Sequence, residues 1–296
     1  MKVLLTGAAG QLGQALRASC PPDLELIATS WDELDLSKPE ACKAVVERHR
    51  PDWVLNAGAY TAVDRAEKEP DLAHAVNGGA PRAFAEAIRQ GGGRLLQLST
   101  DYVFNGRQGS PYRVEQPRDP RGGYGASKAR GEEAIEAVLG DNGQATVLRT
   151  SWVMGPMGKN FALTMLRLHR EREQLGVVAD QVGCPSSTLN LATACWTVIT
   201  TSCKGVGLAP VLLWCVGGAS SLYDVSVAVC EFAIYLGLLE KAATVNPIST
   251  ADYPTPATRP GYSLLDCQAS RQVLQLKAQP WRAALKDVLQ AIPTTP

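Results

Sequence analysis

The stretch KVLLTGAAGQLGQAL, residues 2–16, decides the fold class. An apolar run that predicts a strand leads into three glycines, and a helical pattern begins among them. Gly7 allows a tight turn, Gly10 lets backbone amides approach a pyrophosphate, and Gly13 permits close packing of helix on strand. The start of a helix also favours an anion. The stretch therefore predicts a dinucleotide-binding loop, with a merely tight strand-to-helix turn as the alternative.

The first half of the chain alternates strand and helix patterns. The predicted strands are residues 2–6, 24–29, 53–56, 94–99 and 145–150, and the predicted helices are 12–18, 39–50, 70–90 and 124–139. Gly78-Gly79 predicts a local break, or a close backbone approach, within the third helical stretch. Such alternation indicates an α/β fold, a doubly wound parallel (Rossmann) sheet.

The second half is less regular and predicts a smaller C-terminal α/β substrate domain. Helical patterns cover 160–173, 189–201, a stretch from 223, and 281–291, and short strand patterns cover 175–180 and 211–216. Prolines between 247 and 260 exclude regular helix there. We therefore predict an NAD(P)-binding domain over 1–150, completed by segments near 189–216. A discontinuous, mainly substrate-binding domain is expected over 151–296.

Composition limits the class of protein. Of 296 residues, 29 are Lys or Arg and 29 are Asp or Glu, so nothing favours nucleic acid or an anionic membrane surface as partner. The eight cysteines are scattered and the three histidines are isolated, which predicts neither a disulfide framework nor a metal site. The first apolar run is too short for a signal peptide, so we expect a cytoplasmic protein.

The end of the second predicted strand bears on the choice of cofactor. It has Thr29 and Ser30, and the first acidic residue after them is Asp32. A carboxylate at that strand end would bind the ribose of NAD and repel the 2′-phosphate of NADP. Its displacement favours NADPH, whereas the absence of an arginine leaves NADH possible.

Three polar side chains are expected to converge near a nicotinamide. Thr100 ends the fourth predicted strand, and Tyr124 and Lys128 share one face of the next helix. Reduction of a ketone needs a proton donor, and a neighbouring ammonium lowers the pKa of a phenol toward the working range. The Thr100 hydroxyl would hold the substrate oxygen.

The glycine triplet, Thr100 and the Tyr-x-x-x-Lys pair together resemble an extended short-chain dehydrogenase/reductase. The segments NAGAYTAVDRAE, STDYVF, RTSWVMGPMGKNF, DQVGCPSS and YPTPATRPGYS occur in order along the chain. They resemble the dTDP-4-dehydrorhamnose reductase family. The resemblance implies an enzyme in which NAD(P)H reduces the C4 keto group of dTDP-4-dehydro-β-L-rhamnose. This reaction gives dTDP-L-rhamnose for polysaccharide synthesis.

The resemblance also implies residue roles. The cofactor would contact Gly7, Gly10, Gln11, Leu12, Gly13, Ser30, Asp35, Leu36, Ala59, Tyr60, Thr61, Tyr124 and Lys128. The dTDP-sugar would contact Thr100, Asp101, Tyr102, Trp152, Asn160 and Arg259. Tyr124 would be the proton donor, with Lys128 and Thr100 as the other catalytic residues. Arg259 would bind a phosphate group through its guanidinium.

Some positions depart from the family pattern. Gly122-Gly123 stands where relatives commonly carry Asn-Val, and Met154 stands where a tyrosine is usual. Some family members form dimers bridged by a metal held on glutamates, but Ala15 and Leu189 occupy two of those positions. We therefore expect no metal, and either a monomer or a homodimer.

Two other functions compete with the reductase. A non-catalytic, NADP-binding regulatory subunit, like the β subunit of methionine adenosyltransferase, would tolerate loss of Tyr124 or Lys128, yet both are present. A nucleotide-sugar epimerase or dehydratase is the other alternative. A dehydratase typically carries an Asp-Glu pair after the threonine, but here Tyr102 follows Asp101.

Overall fold

The computed structural model describes residues 1–140, 142–203, 205 and 207–293. Its strands are β1 (Lys2–Thr6), β2 (Glu25–Thr29), β3 (Trp53–Asn56), β4 (Arg94–Thr100), β5 (Ala145–Thr150), β6 (Val153–Met154), β7 (Gln174–Val178), β8 (Val182–Gly183), β9 (Ser186–Ser187), β10 (Val211–Leu213), β11 (Ser220–Ser221) and β12 (Thr244–Ile248). Its α-helices are α1 (Gln11–Ala18), α2 (Pro39–His49), α3 (Pro70–His74), α4 (Ala80–Gly91), α5 (Gly123–Leu139), α6 (Phe161–Glu171), α7 (Thr188–Cys203), α8 (Leu222–Tyr235), α9 (Gln268–Leu274) and α10 (Trp281–Gln290).

The main sheet has the strand order β10-β5-β4-β3-β1-β2, and each neighbouring pair is parallel. The chain passes from β1 to β2 on one side and then to β3 on the other side of β1. Ligands bind outside the carboxyl ends of the strands at such a reversal. The doubly wound parallel sheet predicted from the alternation is therefore confirmed.

Alternate side chains of the strands fill two separate cores. Leu5 and Leu96 pack with α1 and α7 on one face, whereas Leu4 and Val147 pack with α2, α4 and α5 on the other. Burial on both faces explains why these strands are apolar runs rather than alternating ones. The helices thus hold the carboxyl ends of β1, β3 and β4 at a common edge.

The helical stretch around Gly78-Gly79 is irregular, as predicted, but it does not end there. A π-helical turn over Ala75–Gly79 joins α3 to α4. The backbone of this turn lies against α5, where a Cβ at position 131 would come within 2.2 Å of the Asn77 carbonyl oxygen. Asn77 itself donates to Ser127 and to the Tyr60 carbonyl, at 3.0 and 2.9 Å.

A third core forms from the later part of the chain. Leu166 of α6, Leu175 of β7, Val229 of α8 and Leu285 of α10 pack together. The strand β12 pairs with β7 in parallel register although it contains Pro247. The strand β12 was not among the predicted strands, and its Pro247 lacks the N–H that a central strand needs. In this two-stranded sheet Pro247 can occupy an edge. The short helix α9 was also missed.

Candidate active site

A crevice of about 540 Å³ lies at the carboxyl ends of β1, β3 and β4. It brings together the glycine loop with Thr100, Tyr124 and Lys128, as the sequence predicts. The lining also includes Gln11, Leu12, Trp31, Ala57, Gly58, Ala59, Thr61, Val63, Asp101, Tyr102, Thr150, Ser151, Trp152, Val153 and Lys159.

The glycine loop is built for close approach of a backbone ligand. Gly7 has φ +67°, and a Cβ there would lie 2.6 Å from the Cα of Gly58. A Cβ at position 13 would lie 2.1 Å from the Gly7 carbonyl oxygen. Gly10 caps α1 without a side-chain hydrogen bond, so the first amides of the helix stay available to an anion. These features fit the pyrophosphate of a dinucleotide.

Thr100, Tyr124 and Lys128 meet where β4 faces the first turns of α5. Lys128 is buried, and its Nζ donates to the Leu98 carbonyl oxygen at 2.6 Å. The Thr100 hydroxyl donates to Oδ1 of Asp101 at 2.9 Å. The ring of Tyr124 lies edge-on to Tyr102, with centroids 5.5 Å apart. A phenol, an ammonium and a hydroxyl therefore face the same crevice.

The electrostatics of this site correct one expectation. Burial raises the pKa of Tyr124 to about 12; the hydrogen bond with Thr100 opposes the shift and the Asp101 charge adds to it. The net shift is opposite to the lowering predicted from the neighbouring ammonium, because the effect of burial prevails. Tyr124 is consequently a neutral phenol at physiological pH, the form that can donate a proton.

A smaller pocket of about 260 Å³ continues from the crevice past Tyr102 and Trp152. Met154, Phe161, Pro185, Leu222 and Val225 supply its apolar walls. Trp152 has φ +41°, an uncommon backbone conformation for a bulky residue. A Cβ at position 183 would lie 2.7 Å from its Cε2, so Gly183 leaves room for the indole at the junction of the two cavities.

Arg259 and Asp64 join the two halves of the chain at this pocket. Nη2 of Arg259 donates to Oδ2 of Asp64 at 2.8 Å, and the Ala257 amide donates to Oδ1 at 3.2 Å. Burial acts to raise the pKa of Asp64, but the Arg259 guanidinium and the Ala257 amide together outweigh burial, and the pKa is lowered. Nη1 of Arg259 is buried without a partner in the part of the chain that the structure describes, and Arg259 lines the pocket.

The family model described as "RmlD substrate binding domain" matches residues 1–293. The chain belongs to the dTDP-4-dehydrorhamnose reductase family. It is 38% identical over 291 residues to the dTDP-4-dehydrorhamnose reductase of Burkholderia thailandensis, covering 96% of this chain and 97% of that relative. Two solved dTDP-4-dehydrorhamnose reductases share its fold. The Clostridium acetobutylicum structure has TM-score 0.88 and 33% identity, covering 98% and 99% of the two chains. The Bacillus anthracis structure, solved with NADP, has TM-score 0.87 and 31% identity, covering 98% of each.

Several residues that the resemblance to this family implicates lie outside the lining of the crevice. Ser30 donates through its amide and hydroxyl to Glu33, at 2.7 and 2.9 Å, and Asp35 accepts from Ser37. Leu36 is buried against Gly58, and the Tyr60 hydroxyl donates to Glu69 at 2.6 Å. Their cofactor contacts stay predictions.

Asn160 is likewise not in either cavity lining. Its Oδ1 accepts from the Leu163 amide at 3.0 Å and caps α6, and its Nδ2 donates to Gln11 at 2.8 Å. The predicted substrate contact of Asn160 thus stays a prediction. The structure instead joins the glycine loop to α6 through this pair.

Trp31 and Lys159 line the crevice, but neither is among the predicted site residues. Trp31 is 75% exposed and directly follows the residue after β2. An aromatic side chain at the carboxyl end of a nucleotide-facing strand was a usable signal, because such rings stack on planar ligands. Lys159 carried no comparable local signal.

The positions that depart from the family pattern have definite places. The Gly123 amide donates to Glu67 at 2.7 Å, and Met154 is buried in the pocket wall. Ala15 is buried and Leu189 is 44% exposed. Within the described residues, no group of three His, Cys, Asp or Glu is placed to hold a metal ion. In that same part of the chain no helix is both long and apolar enough to cross a membrane.

Proposed function

We propose that the protein catalyses the NAD(P)H-dependent reduction of the C4 keto group of dTDP-4-dehydro-β-L-rhamnose, which gives dTDP-L-rhamnose. The observation that carries the proposal is a neutral, partly buried phenol, Tyr124, which lines the dinucleotide crevice and packs edge-on against Tyr102 at the entrance to the second pocket. The names of the relatives, which are dTDP-4-dehydrorhamnose reductases, support the same substrate.

The crevice fits a nicotinamide dinucleotide. Positions 7 and 13 admit no Cβ. The start of α1, where no side chain caps the helix, offers amides to the pyrophosphate. When bound, the dinucleotide supplies the hydride that C4 accepts. We propose that Gly10, Gln11 and Leu12 contact the pyrophosphate, and that Trp31 stacks on the adenine side.

The protein's own part in the chemistry is to supply a proton and to stabilise charge. Tyr124 donates its phenolic proton to the developing alkoxide at C4, whose oxygen Thr100 also holds. An alkoxide is a far stronger base than a phenolate, so a phenol pKa of about 12 still permits the transfer. The Lys128 ammonium then stabilises the phenolate that forms.

The second pocket accounts for the nucleotide-sugar. Trp152 packs on the sugar ring, and the apolar wall with Met154 and Phe161 favours a 6-deoxy sugar, which presents a methyl group. Nη1 of Arg259, which lacks a partner among the described residues, would donate to the diphosphate. Asp64 holds the same guanidinium through Nη2.

The test is turnover. The substrate would be generated in situ by the upstream dehydratase and epimerase, and NADPH absorbance followed with wild type and Tyr124→Phe. Removal of a general acid predicts a loss of at least about 100-fold. Tyr235→Phe is the matched control, because Tyr235 is 72% exposed on α8 and outside both cavities. Wild type that binds NADPH without oxidising it would instead support a regulatory subunit.

We also propose that the protein acts in the cytoplasm, where dTDP-sugars and NADPH are made. The protein is expected to be either a monomer or a homodimer. Because one chain has a mass of 31.6 kDa, light scattering of the purified protein distinguishes the two.

A further inference from the structure

A buried carboxylate lies one helical turn beyond Lys128 on α5. Glu132 is 2% exposed, and its Oε1 accepts from the Ser99 hydroxyl at 2.5 Å. The Arg149 guanidinium donates to both carboxylate oxygens, with Nη2 to Oε2 at 2.6 Å and Nε to Oε1 at 3.0 Å. Nη1 of Arg118 lies 3.4 Å from Oε2. Donors from several elements therefore hold Glu132 in one position.

This carboxylate is tied to the catalytic end of β4. Lys128 and Glu132 contact consecutive residues of that strand, because Nζ of Lys128 donates to Leu98 and Glu132 accepts from Ser99. Thr100 is the next residue along the strand. The two contacts therefore set the position of α5, and of Tyr124 at its start, relative to Thr100.

Glu132 does not line the crevice. It lines a separate cavity of about 480 Å³ between α5 and the β5–β10 edge of the sheet. Any influence on the reaction must therefore pass through Lys128 or Ser99.

We propose, on the basis of the function proposed above, that Glu132 is a positioning residue of the reductase and acts through Lys128 and Ser99. Burial lowers the pKa of Lys128 to about 8, and the Glu132 charge opposes that shift. Tyr124 on α5, Asp101 after β4 and Lys159 before α6 line the same crevice as Lys128. Glu132 thus keeps Lys128 in the ammonium form needed beside a Tyr124 phenolate.

The sign of the effect follows from these charges. Activity is lost as pH rises through the pKa of Lys128, because the ammonium gives up its proton. Removal of the Glu132 charge lowers that pKa further, so the alkaline limb of kcat/KM moves to lower pH. Loss of a neighbouring opposite charge predicts a move of roughly one pH unit.

The variants separate charge from position. Glu132→Gln alone leaves the Arg149 cation buried without its carboxylate, which can prevent folding. Glu132→Gln with Arg149→Gln removes both charges, so it is compared with Arg149→Gln alone, in which Arg118 still pairs with Glu132. The difference between these two variants isolates the Glu132 charge. Ser99→Ala removes the hydroxyl and keeps both charges. Glu136→Gln is the matched control, because Glu136 is one turn further along α5, is exposed and pairs with Arg118.

Two measurements are needed. The first is kcat/KM between pH 6 and 10. The second is an NMR titration of protein labelled with [ε-13C]lysine, in which the Lys128 signal is identified by its absence from Lys128→Arg. We expect the alkaline limb and the Lys128 titration of the double variant to lie at lower pH than those of Arg149→Gln. We expect Ser99→Ala to lower kcat about threefold to tenfold without a shift, and Glu136→Gln to match wild type. Glu132→Asp keeps the charge, so the alkaline limb of its kcat/KM profile should lie at the wild-type pH.

The proposal is overturned if a folded double variant, shown by its melting curve and NADPH binding, has the same alkaline limb and Lys128 titration as Arg149→Gln. A uniform loss at every pH would also overturn it, since that is the result of a purely structural role. If wild type fails to reduce the dTDP-sugar, the proposed function fails, but the Lys128 titration still tests the influence of Glu132.

Discussion

Replacement of Arg259 by Met should weaken substrate binding and leave the chemical step nearly intact. Nη1 of Arg259 is buried in the pocket and has no partner in the described part of the chain, so a diphosphate oxygen would be its acceptor. A hydrogen bond to a charged group contributes about 1.5–3 kcal/mol. At about 1.4 kcal/mol per factor of ten, KM for the dTDP-sugar should rise roughly 10- to 100-fold.

Asp64→Asn should have a smaller effect of the same kind. Asp64 is 41% exposed and its partner Arg259 is 21% exposed, so solvent screening limits the pair to about 1 kcal/mol or less. The asparagine oxygen can still accept from the Ala257 amide. KM should therefore rise by no more than about fivefold.

Steady-state kinetics with a double-mutant cycle are the assay. Because Asp64 acts only by holding Arg259, the double variant should match Arg259→Met alone. The NADPH dissociation constant should not change, and Arg282→Met on α10 serves as a control that removes another partly exposed arginine. The reasoning is refuted if the two effects add, if Asp64→Asn exceeds Arg259→Met, or if the loss falls on kcat.

Two further predictions concern the cofactor loop and Asp101. Gly13→Ala should abolish measurable NADPH binding by fluorescence, because its Cβ would lie 2.1 Å from the Gly7 carbonyl, whereas Gly109→Ala, which meets nothing within 4 Å, should bind like wild type. Burial raises the pKa of Asp101 from 3.8 to about 6, so the charged form costs stability above pH 6, and the cost is relieved as pH falls toward 4. Asp101→Asn lacks this cost, so its free energy of unfolding should gain on that of wild type as pH rises. The difference between the two proteins should be larger at pH 7 than at pH 4, by up to about 3 kcal/mol. Equal pH dependence of the two urea denaturation series would contradict the assignment.

Local sequence was sufficient for the fold class and for the centre of the site. The spacing of Gly7, Gly10 and Gly13 after a strand specifies a turn that only small residues can adopt. The i,i+4 spacing of Tyr124 and Lys128 places both on one helix face, and Thr100 ends the strand beside it. Each of these signals resides within a few residues, where backbone geometry follows directly from side-chain chemistry.

Contacts between distant residues, and burial, were decided by the tertiary structure alone. Arg259 and Asp64 are 195 positions apart, and Glu132 meets Arg149 and Ser99 only because α5 packs across β4 and β5. The direction of the Tyr124 pKa shift was predicted wrongly for the same reason. An ammonium four residues away is visible in the sequence, but the desolvation that outweighs it depends on what the folded chain packs around the phenol.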